Sequence, residues 1–365
     1  MTTITRRHVL ALGAATAFVQ AAPALSAARF APCSPEWRTF ELTTRVRLDR
    51  AGRTAQAWIP VPSLDAPDWS RPGPTRWDTN ASEVVLRRDA ASGAAFVHAV
   101  WPEGEAPATL DVVSSVTTRD RSVDPAGAGA EPLSPEEWAR HLAPTELIPT
   151  DGIVAETAAG ITAGKTGDLE KARAIYDWVV ETTTRNPETR GCGLGDVASM
   201  LHSGNLTGKC ADLNALFVGL ARAAGLPARD LYGLRVAPSA FGYKSLGAGS
   251  SNVTGAQHCR ADVFIEGAGW VPADPADVRK VILEEPPRDL ELGDPEVRAL
   301  RAGLFGAAEG NWVPLNDAHD VALPGSSGAP VPFLMYPQAE IGGVRRDELD
   351  PERFAYEILA AERTG

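Results

Sequence analysis

Between residues 40 and 116 apolar and polar positions alternate along the chain. Phe40, Leu42, Thr44, Val46 and Leu48 share one parity, which predicts a half-buried strand. Trp58-Ile59-Pro60-Val61-Pro62 reads as a second short strand, placed at a sheet edge because proline cannot donate to a ladder. Val84-Val85-Leu86, Ala95 to Trp101, and Leu110, Val112, Ser114 and Val116 continue the pattern, with Gly, Pro and Asp between the runs. The spacing predicts a small antiparallel β-sandwich, with a first unit at 29–123. His98 falls inside one of these strand patterns and reads as an ordinary core or surface histidine.

The period then changes. Residues 124–135 are rich in Pro, Gly and Ala, as in a linker. Ser134, Pro135, Glu136 and Glu137 supply a cap, a proline at the first helical position and acids in the first turn. Asp168 opens a second helix through Ala172, Ile175, Tyr176 and Val179. After a Gly-rich bend at 190–196, Leu213, Leu216, Phe217 and Leu220 form the stripe of a helix buried on one face, stopped by Gly225 and Pro227. Strand patterns return at Leu231 to Val236, Ala261 to Ile265 and Trp270 to Ala273. The Gly/Ser-dense loop Pro238 to Gln257 between the first two reads as a surface connection that could also serve as a lid or substrate contact. Trp312 to Leu315, Val331 to Met335, and Phe354, Tyr356 and Ile358 read as strands, the last group equally as a helix from Pro351. Helices segregated from antiparallel strands give an α+β class, with a core at 124–300 completed by 301–365.

The helix pattern places Cys210 in a first turn, where unpaired N–H groups and the positive end of the helix dipole favour a thiolate. Lys209 acts in the same direction. A buried cysteine can equally be a small core side chain, so chemistry needs partners. His258 opens a strand that turns at Gly267-Ala268-Gly269, and Asp274 ends the return strand. The two have the same parity and can share a face. A turn symmetric about Ala268 sets Asp274 opposite Asp262, so a bulge or strong twist is needed to join it to His258. Thiol catalysis needs a thiolate, an imidazole and an acceptor fixing the ring's tautomer, which Cys210, His258 and Asp274 supply in that order. Cys, His and Asp can also hold Zn²⁺ in an open tetrahedral shell.

Composition narrows the classes. With 365 residues, 44% apolar and 22% charged, the chain is globular. A net charge of -12 without a Lys/Arg run excludes a phosphate track for nucleic acid and any pull toward anionic lipid. Arg6-Arg7, a modest apolar run from Val9 to Val19 and small residues to Ala28 predict a twin-arginine secretory signal at 1–28. The run is about half the ~20 residues a span needs, so cleavage and a periplasmic or cell-surface product are expected, with no membrane span afterwards. The four cysteines, Cys33, Cys192, Cys210 and Cys259, lack CxxC spacing and form no zinc ribbon, and no spacing argument supports a Cys33–Cys192 bridge.

Gly208-Lys209-Cys210 with the helix ending Gly225-Leu226-Pro227-Ala228-Arg229, His258 opening a strand, and Gly269-Trp270-Val271-Pro272-Ala273-Asp274-Pro275 together resemble the transglutaminase-like superfamily. That superfamily is related in architecture to papain-type thiol proteases and arylamine acetyltransferases. The likeness covers roughly residues 170 to 280, and the first strand-rich unit looks like the β-domain that precedes the core in bacterial members. It implies Cys210 as nucleophile, His258 as base and Asp274 as orienting acid, without a cofactor. A thioester would pass to water, as in a peptidase or amidase, or to an amine, as in a crosslinking transglutaminase; hydrolysis is favoured because bacterial relatives are often placed with proteases. Peptides, protein side chains or cell-wall peptides are the implied substrates. A catalytically silent binding or assembly module is the alternative. One departure is Cys259-Arg260, where many members have small and aromatic residues. Strand alternation aims Cys259 away from the site, as a buried thiol rather than a second nucleophile or a disulfide partner of Cys210. The Cys210 N–H is the expected oxyanion donor, with Trp178, Asn186 and Asn214 as side-chain candidates. Cys192 and His202 read as structural.

Overall fold

The structure, a computed structural model, describes residues 30–363, so the predicted secretory signal at 1–28 lies outside the described residues. The first six strands are β1 (Arg38–Leu48), β2 (Ala55–Val61), β3 (Ser70–Thr79), β4 (Glu83–Arg88), β5 (Ala95–Trp101) and β6 (Ala108–Thr118). Seven helices follow: α1 (Pro135–Leu142), α2 (Gly152–Thr162), α3 (Asp168–Thr182), α4 (Val197–Ser203), α5 (Cys210–Ala223), α6 (Pro275–Glu284) and α7 (Pro295–Gly303). Among them run β7 (Ala228–Arg235), β8 (Gln257–Ile265) and β9 (Gly269–Ala273); then come β10 (Trp312–Asn316), β11 (Gln338–Ile341), β12 (Val344–Arg345) and β13 (Tyr356–Arg363). The class is α+β, as the change of hydrophobic period predicts.

Two antiparallel sheets, ordered β13-β1-β6-β3 and β12-β11-β2-β5-β4, enclose Val46, Ile59, Val97, Trp101, Leu110 and Val112. The C-terminal stretch divides between the two layers of the molecule. Only β10 adds to the core sheet, beside β7, whereas β11 and β12 extend the β2 sheet and β13 lies along β1 from Val46↔Tyr356 to Thr39↔Arg363. Period-2 patterning says which face of a strand is buried but not which neighbour it pairs with, so this division carries no local sequence signal. Pro60 also sits elsewhere than expected, in the middle strand of its sheet. β11 pairs with β2 only from Ala55 to Trp58, so Pro60 lies where that neighbour has ended and the missing N–H breaks no ladder there. β3, with Pro72 and Pro74, is an edge strand bulged between Pro72 and Thr75. His98 is buried, stacked on Trp58 at 5.2 Å and bonded to Arg87 and Gln56, and so is a structural histidine.

The core sheet, ordered β9-β8-β7-β10, backs α5, which α2, α3, α4 and α6 surround. The apolar stripe predicts one buried face for α5, yet every residue from Cys210 to Arg222 is buried. Most off-stripe positions are Ala, Gly, Asn or Asp, short enough for neighbours to close in. At Gly219 an added Cβ would stand 3.0 Å from Ile148 and 3.3 Å from Val197. α1 carries the expected cap, and it is a reciprocal capping box, with Ser134 Oγ accepting from the Glu137 N–H at 3.2 Å and Glu137 accepting from the Ser134 N–H at 3.1 Å.

Under α5, Asp230 is buried with neither carboxylate oxygen hydrogen-bonded, and burial raises its pKa to about 7. A folded-state value above the unfolded one means the native state binds the extra proton. The stabilisation is therefore full below about pH 4 and lost as pH rises through about 7. An Asp230→Asn variant is expected to match the parent in urea unfolding at pH 4 and to exceed it at pH 8.

Candidate active site

The turn that presents Cys210 is built around a carboxylate. Asp212, buried in the first turn of α5, accepts from the N–H groups of Lys209, Leu194 and Gly195, each at 2.9 Å. It thereby ties the 190–196 bend to the helix start. Burial pushes its pKa up against those three donors. Gly193, at φ +95°, and Gly208 are needed because their Cβ atoms would fall 1.8 Å and 2.4 Å from the Asp212 carboxylate. A Gly193→Ala variant is expected to lower the thermal midpoint and slow alkylation of Cys210 together, measured by calorimetry and peptide mass spectrometry. Within this turn the Ala211 N–H goes to the Cys192 carbonyl at 2.9 Å. Among the described residues the Cys210 N–H has no hydrogen-bond partner, as a helix-start donor commonly lacks one.

The hairpin brings the acid to the histidine without a bulge. The register runs Ile265↔Gly269 to Ala261↔Ala273, so the turn centres on Gly267, one residue earlier than expected. Continuing it sets Asp274 beside Arg260, not Asp262, and makes His258 its diagonal neighbour on the same face. Asp274 leaves the strand as the N-cap of α6, accepting from the Asp277 N–H at 3.0 Å. Its other oxygen lies 2.8 Å from His258 Nε2. The same nitrogen is 3.3 Å from Asp277, whose carboxylate is gripped by Arg235 at 2.6 and 2.8 Å. Trp312 Nε1 donates to the His258 carbonyl at 3.0 Å, and its ring packs so closely that Gly233 has no room for a Cβ.

Electrostatics follow from this packing. Burial and Arg235 oppose a charge on His258, but Asp277 and Asp274 outweigh them and its pKa is raised. Asp277 is itself buried, yet Arg235 and then His258 hold it well below the usual carboxylate range. Asp274 is pushed up by burial and by its neighbour Asp277. The Cys210 thiol is held well below the ordinary cysteine range. Hydrogen bonding by Cys192 and Cys259 outweighs burial, and His258 adds a hydrogen bond and its charge. Nε2 is engaged by Asp274 and Asp277, so Nδ1 is the ring nitrogen that neither carboxylate holds.

The structure thus joins His258 to Asp274, with His258 among the groups acting on the Cys210 thiol, and adds Asp277 and Arg235, which sequence reading missed. Cys259 is buried as expected but not turned away. Its sulfur and those of Cys192 and Cys210 all lie within 4.8 Å of one another. α5 lies over the face of β8 that carries Cys259, Ala261 and Val263, so alternation points Cys259 toward the start of α5. Among the described residues potential ligand atoms gather as two sets, Cys192/Cys210/Cys259 and His258/Asp274/Asp277, which divides the Cys/His/Asp zinc shell considered from sequence. The oxyanion candidates also sort. Asn214 Nδ2 is committed to the Cys259 carbonyl at 2.7 Å and to Asp274 at 3.3 Å, which makes it a positioning group. Asn186 Oδ1 accepts from the Glu188 N–H, and Trp178 packs on the cluster around Ile175 and Phe217 rather than the one holding Cys210. His202 is exposed on α4. The Gly/Ser loop is pinned, with Glu285 accepting from Lys244 and Ser245 N–H groups at 2.8 Å and the Val253 N–H bonded to the Ile358 carbonyl at 2.8 Å.

Comparison with known proteins agrees with this architecture. A family described as the transglutaminase-like superfamily matches residues 155–275, from α2 to the start of α6. An uncharacterized protein of Haemophilus influenzae is 36% identical over 318 residues, covering 83% of this chain and 85% of its own length. Among solved structures, one described as a candidate cysteine protease from Cytophaga hutchinsonii superposes with a TM-score of 0.55 at 14% identity, over 90% of this chain and 92% of that one. The periplasmic domain of TgpA from Pseudomonas aeruginosa gives 0.34 at 16% identity, over 66% and 88%. The Cytophaga likeness is one of fold and extends through both layers. Among the described residues no helix is long and apolar enough to cross a membrane. The match over 155–275 and the order of the nucleophile-bearing helix and the two hairpin strands agree: this chain belongs to the transglutaminase-like superfamily.

Proposed function

We propose that the protein catalyses thiol-dependent acyl transfer on amide bonds, with Cys210 as nucleophile, His258 as acid and base, and Asp274 as the group that orients the ring. The observation that carries this reading is a buried cysteine that begins α5 together with a histidine whose Nε2 is held 2.8 Å from a buried carboxylate, and the influence of His258 on the thiol supports it. The Cys210 thiolate adds to the carbonyl carbon, and the oxyanion that develops accepts from the Cys210 N–H. His258, whose protonated form its two carboxylates favour, gives its Nδ1 proton to the leaving amine as the C–N bond breaks, leaving a thioester. Water or a second amine then attacks, and Nδ1 takes its proton as Cys210 departs as thiolate. Asp274 keeps the proton at Nε2 and so leaves Nδ1 to exchange with sulfur and substrate.

Peptides or protein side chains, cell-wall peptides among them, are the proposed substrates, and hydrolysis the proposed default outcome. Export through the predicted signal is part of the same proposal. The test incubates the protein with peptide amides and glutamine donors, with and without an added primary amine. Free acid with loss of ammonia or an amine marks hydrolysis; incorporation of the added amine marks transfer. Absence of both, with no acyl group on the Cys210 peptide, would overturn the proposal.

A further inference from the structure

Three of the chain's four cysteines converge on one point although they come from distant parts of the sequence. Cys192 stands in the Gly-rich bend, Cys210 begins α5 and Cys259 is the third residue of β8. All three are buried, and none is in a disulfide. Each backbone is fixed locally. The Cys192 N–H donates to the Tyr336 hydroxyl at 2.9 Å, the Cys192 carbonyl accepts from the Ala211 N–H at 2.9 Å, and the Cys259 carbonyl accepts from Asn214 at 2.7 Å. The amide cycle proposed above uses one of these sulfurs. The other two act in it only as hydrogen-bonding neighbours of that thiol.

We propose that the sulfurs of Cys192, Cys210 and Cys259 form a binding site for a thiolate-seeking divalent cation of the zinc group, and that an ion held there takes the nucleophile out of reaction. The geometry suits it. Three thiolates each about 2.3 Å from a central ion stand about 4 Å apart, and these sulfurs are all within 4.8 Å of one another, so a contraction of under about 1 Å closes the shell. Soft sulfur ligands select zinc-group ions over hard cations, and three protein ligands with one open position make a shell that zinc accepts. The backbone hydrogen bonds to Tyr336, Ala211 and Asn214 supply the outer support that metal-ligating side chains need. On binding, Cys192 and Cys259 each lose the S–H proton to solvent, and Cys192 gives up its 3.4 Å bond to the Gln257 carbonyl. Three metal–sulfur bonds form, and nothing is oxidised. Binding itself is independent of the amide chemistry; only the inhibition rests on Cys210 being the nucleophile.

The test titrates the full chain with Cd²⁺ in a phosphine reductant, following the ultraviolet thiolate-to-cadmium charge-transfer band. One equivalent per chain is expected, unchanged in Cys33→Ser, since Cys33 is exposed and outside the cluster. Cys192→Ser and Cys259→Ser are each expected to weaken binding by more than about a hundredfold, because even outer-shell partners are worth roughly 10- to 100-fold. Cys192→Ala and Cys259→Ala repeat the measurement should a serine destabilise the fold. Zn²⁺ should displace the band and block alkylation of Cys210, and a chelator should restore it. The proposal is overturned by no band, by a band retained in both single variants, or by a block of Cys210 alkylation that the chelator does not reverse. If Cd²⁺ binds as described but metal-free protein neither alkylates rapidly at Cys210 nor turns over amides, the metal site stands and the proposed activity falls.

Discussion

Replacing Cys210 with alanine is expected to leave the fold intact and lower amide turnover by roughly 10⁴-fold or more, as removal of a covalent nucleophile does elsewhere. The substitution removes one sulfur from a buried turn whose backbone is held by other groups. Asp212 ties the bend to α5, and the Ala211 N–H keeps its bond to the Cys192 carbonyl. Alanine is also a better helix former than cysteine at the start of α5. A fall in turnover with an unchanged thermal midpoint assigns the chemistry to the sulfur. Retained turnover would place the reaction at some other group.

Replacing Arg235 with methionine is expected to cost about 3–5 kcal/mol of stability, the range seen when one partner of a buried ion pair is deleted. Arg235 and Asp277 are almost completely buried, so the methionine would strand a carboxylate in the core. The carboxylate also stands 3.3 Å from His258 Nε2. Arg235 lowers the His258 pKa, so its removal should raise that value further and carry the alkaline limb of turnover to higher pH. Denaturant unfolding measures the first effect and the pH profile of turnover the second. An Arg235→Met/Asp277→Leu double variant should recover most of the lost stability, because neither charge is then left unpaired.

Much of this arrangement was legible in the chain, and the parts that were not share a physical reason. Cys210 follows from the apolar stripe of α5 and its stop at Gly225, and the His258–Asp274 hairpin from two strand patterns around a glycine turn. The register error of one residue came from centring that turn on Ala268 instead of Gly267. It made a bulge look necessary where a diagonal contact suffices. Asp274, Pro275 and Asp277 also carry a readable helix start, a cap followed by proline and an acid, which the strand reading hid. Arg235 and Asp277 are different. They are 42 residues apart on β7 and α6, and neither spacing nor composition marks a pair formed only by tertiary packing. The same holds for Asp212, whose three backbone donors appear only once the glycine bend has closed over it. The sandwich partners of β11 and β13 were hidden likewise, since pairing such as Trp58↔Gln338 and Thr39↔Arg363, between opposite ends of the chain, leaves no local pattern.

The claim on which the rest depends is that Cys210 is ionised at a pH where an ordinary cysteine is not. The most direct measurement is the rate of iodoacetamide alkylation at Cys210 across pH 4 to 9, read on the Cys210 peptide. A lowered thiol pKa predicts rapid labelling already at pH 6, falling only as pH drops through the lowered value, with the acid limb moving to higher pH in His258→Ala. Labelling that becomes appreciable only above about pH 8, unchanged by His258→Ala, would show an unperturbed thiol and contradict the account.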